Sequence, residues 1–199
     1  MLFSQVHPIN PIRPLATSRS RSPNYRRLYP AWPVAHATVD VLLANNVPLS
    51  DIADLTRGLP PSHTRDLYVD RYFTNFNWAR CPIPEAKFRT AYAAFARTAH
   101  LPFPFPRLTF AALLYIILAL GSMEVITQPP ALPSGETAHL FWIAEKAMGV
   151  CRTVGATDLD LVWAHGSVCR YLSFHRRSRE VWFAVGTWIR LALDMGLHR

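Results

Sequence analysis

His165 and Cys169 stand four residues apart in "DLVWAHGSVCRYL", a spacing that puts two metal-capable side chains on one face of a helix. A zinc site needs four donors, or three and a water, and no C-x-x-C or H-E-x-x-H run supplies the others. Cys151 and His175 join the pair only if folding brings them in. A core cysteine beside a satisfied histidine is the plainer reading. Nucleophilic chemistry finds as little support. Ser122 and Ser167 each follow a glycine, but neither sits in a G-x-S-x-G elbow, and Ser167 lies two helix positions from His165, so their side chains point apart. Asp158 and Asp160 form the nearest thing to a carboxylate pair; they open a helix, where backbone N–H groups favour them without any catalytic role. The expectation is a chain with no catalytic residue, no metal ligand and no enzymatic activity.

The elements that would carry these residues are helices. "LSDIADLTRGLPP" has Ser50 as N-cap and Gly58 with Pro60 as a stop, and Ser62 caps the next segment, whose apolar positions are Leu67, Val69, Tyr72, Phe73 and Phe76. Pro84 precedes a stripe of Phe88, Tyr92, Phe95 and Ala99 at i, i+4, i+7 and i+11. From Ser134 a further stripe runs through Leu140, Ala144, Ala147, Met148 and Cys151. Asp158 caps a helix with Leu159, Val162, His165, Gly166 and Cys169 on one side. Ser178 opens the last, with Val181, Trp182, Val185, Ile189, Ala192 and Leu193 inward and Gly196 as its stop. Trp142, Trp163, Trp182 and Trp188 all fall on these helices, where large aromatics usually belong to the core; lining an apolar cavity for a small effector is the other reading. No run alternates as a strand does. The fold class expected is all-α, an irregular array of amphipathic helices joined by Pro- or Gly-marked loops.

At 199 residues, half of them apolar, the chain has material for one core. Its net charge of +8 is uneven: Arg13, Arg19, Arg21, Arg26 and Arg27 fall in residues 1–30 without a single acid. Residues 1–35 therefore read as a disordered, Pro/Ser/Arg-rich basic tail or linker, and 36–199 as the folded part. Cys81, Cys151 and Cys169 are too few and too far apart for a disulfide framework, which suggests a reducing compartment. Leu108–Met123 is uncharged, but as a helix it reaches only about 24 Å against a hydrocarbon thickness of ~30 Å, so it reads as a buried core helix and no membrane association is expected.

Four segments in order, "LPPSHTRDLYVDRYFTNFNW", "FRTAYAAF", "LTFAALLYIILALGS" and "REVWFAVGTWIRLALDMGLHR", resemble the middle homology region of fungal zinc-cluster transcription factors. The last is the most specific. Trp182, Gly186, Ile189, Arg190, Ala192, Gly196, Leu197, His198 and Arg199 match the family pattern, while Trp188 replaces a small residue and Met195 a leucine. The resemblance runs from about Leu59 to Arg199. It implies that 36–199 is part of a fungal-specific transcription factor regulatory domain, incomplete at the C-terminus, in a nuclear protein that controls transcription without bond-making. Zinc and DNA contacts would belong to an N-terminal zinc cluster missing from these residues, so the chain reaches DNA only indirectly; a homodimer or transcriptional cofactors are the implied partners.

The motif residues Trp182, Gly186, Arg190, Gly196, His198 and Arg199 also have a packing reading. Trp182 and Gly186 are a turn apart, so a bulky ring sits beside a spot another helix can approach, and Gly196 ends the helix with His198 and Arg199 at its negative dipole end. Arg190 pairs with an acid elsewhere or is simply solvated. The alternative function is a helical ligand-binding protein or enzyme with a site near His165 and Cys169.

Overall fold

A computed structural model of the chain describes residues 39–78, 81–99, 104–123 and 135–198. The expected tail, residues 1–35, lies outside them, as do Ser134 and Arg199. Among the described residues there are eight helices and no strand: α1 (Val39–Ala44), α2 (Leu49–Arg57), α3 (Ser62–Asn75), α4 (Glu85–Thr98), α5 (Leu108–Gly121), α6 (Gly135–Val154), α7 (Leu159–Phe174) and α8 (Ser178–Asp194). The protein is all-α, as its periodicity implies.

The architecture follows from α5. Every residue from Leu108 to Gly121 is buried, because a helix apolar on all sides has no face to offer water and must be surrounded. Helices α3, α6 and α7 pack directly on it. Each Leu, Ile or Phe side chain enclosed this way contributes about 1.5–3 kcal/mol of burial. Gly121 permits the closest of these approaches: a Cβ there would overlap the backbone carbonyl of Tyr68 in α3. Helix α4 joins through rings, with Phe88 and Phe95 buried and centred 5.6 and 6.5 Å from Phe110.

Polar tethers fix how the outer helices sit. Tyr115 donates to the Leu55 carbonyl at 2.7 Å, satisfying an acceptor near the end of α2 that the helix itself leaves unpaired. Lys146 on α6 reaches Asp54 at 2.6 Å and Asp51 at 3.1 Å and lies over the Trp142 ring. At the other end, Asp158 caps α7 by accepting from the Leu161 N–H and takes the Thr109 hydroxyl at 2.8 Å, while Arg107 bonds the buried carboxylate of Asp160. Burial and the Asp158 charge push the Asp160 carboxyl above its usual range, and Arg107 pulls it back.

Several starts and stripes differ from the sequence expectation. Ser50 lies inside α2 and Ser62 is the first residue of α3; Pro48 and Pro61 hold the cap positions without side-chain bonds. Proline's extended, fixed φ leads into a helix without needing a capping hydroxyl. The stripe of α6 is buried as expected; on the α4 stripe Phe88 and Phe95 are buried, Tyr92 is half-buried and Ala99 is exposed, and Leu67 on α3 and Leu159 on α7 face solvent.

The largest correction concerns α8, on which no residue is fully buried. Val181, Ala184 and Leu191 pack against the core, and Trp188 seats its ring where a Cβ on Gly166 of α7 would be only 2.7 Å away. Trp182, Ile189 and Leu193, expected inside, are exposed. The tryptophans as a group are not core: Trp142 and Trp182 are exposed, and Trp163 and Trp188 are half-buried.

An outward apolar face as the candidate functional site

The chemistry suggested by residue types does not assemble. His165 is half-buried and Cys169 buried, one turn apart on α7. Burial holds the His165 imidazole below its ordinary value, helped by the Arg152 charge, and pushes the Cys169 thiol up to about 11. A neutral thiol of that kind is a poor nucleophile. Cys151 is fully enclosed and its thiol pushed higher still by burial. His175 packs against Tyr171 with ring centres 4.4 Å apart and planes tilted by 58°. Ser167 turns to the Tyr72 hydroxyl instead of to His165. Among the described residues, no three His, Cys, Asp or Glu side chains come together as a metal site. None of their helices is long and apolar enough to cross a membrane.

Two hollows among the described residues are not built around His165 or Cys169. A groove of about 490 Å³ runs between the α1–α2 turn and α6, past Asn46, Asp51, Trp142 and Lys146. Its central cation is already neutralised by Asp51 and Asp54. A cleft of about 20 Å³ lies among Cys81, Trp163, Gly166, Ser167 and Trp188, space for about one water. The ion-paired Lys146 cluster was not foreseen; its only trace in the sequence is the pair of acids opening "LSDIADL".

What the structure does gather is the C-terminal motif. Helix α8 is apolar on two opposite sides. One side carries Val181, Ala184, Trp188 and Leu191 and meets α7 and the core. The opposite side carries Trp182, Gly186, Ile189 and Leu193 at i, i+4, i+7 and i+11, with Phe183 on its flank. Trp182 is 77% exposed and Phe183 62%. Gly186 lies mid-way along this outer side, and the Arg190 guanidinium folds back to rest 3.5 Å from where its Cβ would be. Arg190 finds no carboxylate among the described residues, so of its two expected states it is in the solvated one.

Gly196 does what was expected of it. At φ +72° it ends α8, with the Gly196 N–H donating to the Leu193 carbonyl and the Leu197 N–H to that of Ala192, both at 3.0 Å. His198 is exposed just beyond. A row of large apolar side chains on one capped helix differs from the scattered surface leucines of any protein and makes this side the candidate contact surface. Comparison with known protein families, curated proteins and solved structures finds no match for this chain.

Proposed function

We propose that the chain is a regulatory, non-catalytic part of a fungal zinc-cluster transcription factor. It acts in the nucleus by relaying the state of an effector or partner through helix packing. The observation carrying this reading is that the most family-like stretch, Trp182 to His198, forms one capped helix whose matching residues Trp182, Gly186, Ile189 and Arg190 point away from the protein's own core. Residues kept outside in this way serve contacts rather than the fold. The four family-like segments also lie on helices of one all-helical unit, in the family's order. DNA contact would come through a zinc-cluster module. Cys81, Cys151 and Cys169 are the chain's three cysteines, so zinc has no cluster of ligands here.

The test tethers the full chain to a reporter promoter in a fungal cell through an unrelated DNA-binding domain. Reporter output is expected to change severalfold, and Trp182→Ser combined with Arg190→Glu to abolish the change while the melting temperature holds. A folded, nuclear fusion that leaves the reporter untouched would overturn the reading.

A further inference from the structure

We infer that the outer side of α8 is a self-complementary surface on which a second copy of this chain docks, the two α8 helices antiparallel and crossing at Gly186. The inference rests on the geometry of the helix and not on the transcriptional reading.

Charge selects the partner and its direction. Arg179, a turn before Trp182, is exposed on this side, and Asp194, a turn beyond Arg190, is exposed on its Phe183 flank; neither has an ion-pair partner among the described residues. In an antiparallel pair centred on Gly186, residues equally far before and after it come face to face. Arg179 then lies beside Leu193 and Asp194 of the second copy. Trp182 lies beside its Arg190, within reach of a cation–π contact, and Phe183 beside its Ile189. The two-fold axis repeats each contact. A parallel pair would instead set Arg179 against Arg179 and Asp194 against Asp194. Helix dipoles favour the antiparallel arrangement as well.

Shape agrees with charge. Gly186 offers no side chain at the crossing point, and only the mobile Arg190 guanidinium, at ordinary contact distance, covers it. Two backbones can therefore approach closely there. The exposed apolar side chains offer on the order of 500 Å² per copy, ~1,000 Å² for the pair, which places the dimer at the small, reversible end of specific interfaces.

Sedimentation velocity on the full chain, from about 1 to about 200 µM, reads the association directly. A micromolar dimer is expected. Arg179→Asp and Asp194→Arg should each weaken it about tenfold or more, and the charge-swapped double variant should restore it to within about threefold. Gly186→Leu should abolish association yet raise the monomer's melting temperature slightly, because the monomer has room for the side chain and leucine favours a helix. Circular dichroism confirms that each variant is folded. A chain that is monomeric at the highest concentration, whether or not some other protein or peptide binds this side, overturns the inference. So does a dimer indifferent to the charge reversals and to Gly186→Leu.

Discussion

Gly121 carries more of the packing than any pattern around it suggests. A single methyl there would meet the Tyr68 backbone, which no rotamer change relieves, so Gly121→Ala is expected to cost at least about 2 kcal/mol in a urea titration. A cost under half of that would mean α3 and α5 separate more easily than their fit implies. The sequence displays this glycine only as part of an "ALGS" helix end; that a backbone carbonyl 53 positions earlier in the chain touches it is a fact of tertiary structure. Two histidines give the fold a pH dependence of definite sign. Burial holds His165 and His175 below the ordinary value, with Arg152 and Arg177 adding to the effect, so the unfolded chain takes up protons before the folded one does. Their contribution is fully present above pH ~6.5 and is lost as pH falls through the lowered folded values. Asp160, shifted upward, has the opposite sign, in the carboxylate range below. The urea midpoint should drop between about pH 7.5 and about pH 5.5, and the double variant His165→Gln, His175→Gln should flatten that slope. A midpoint that rises on acidification would contradict the assignment.

Elements with one apolar stripe were legible, and elements with two were not. Leu140, Ala144, Ala147, Met148 and Cys151 define a side of α6 that the structure buries whole, because Glu145, Lys146, Arg152 and Thr153 mark the opposite side of that helix. On α8 the apolar residues go round both sides, and spacing alone does not choose between them. The choice falls to a fit between Trp188 and the bare Gly166 of α7, which turns Trp182, Ile189 and Leu193 outward. Helix ends tell a similar story. Asn46, Gly155, Arg176 and Gly196 all adopt positive φ after α1, α6, α7 and α8. Asparagine and glycine advertise that conformation, whereas an arginine does not. At φ 53°, with the Arg177 N–H donating to the Leu172 carbonyl, Arg176 pays a steric penalty that glycine avoids. Arg176→Gly is therefore expected to stabilise the protein by ~0.5–1 kcal/mol, raising the melting temperature by about 2–4 °C. An unchanged or lowered value would show that the arginine contributes elsewhere what its backbone costs.

The all-helical class and the burial of α5 were legible across the whole molecule, since fourteen consecutive residues with no polar side leave few alternatives. The tethers around α5 were not. Tyr115 with Leu55, Lys146 with Asp51 and Asp54, and Arg107 with Asp160 join residues far apart in the chain, and nothing local in the sequence marks a partner at such distance. Nor was it legible where His165, Cys169, Cys151 and Ser167 go, since each depends on what folding packs around it. Because α5 is enclosed on every side, its amides from Leu113 to Leu120 should exchange with solvent slowest of all, at a rate set by global unfolding, while α8 exchanges through smaller openings. Equal protection of the two helices would place α8 in the same cooperative unit as the centre.

The enclosure of α5 also dictates an order of events on the ribosome. Two of its walls, α6 and α7, are translated after it, and the second is finished only at Phe174. Until then a nascent chain has only α3 and α4 to cover part of its greasiest segment, a state that invites chaperone binding and makes slow decoding between the end of α5 and the end of α7 the most hazardous interval in the synthesis of this protein.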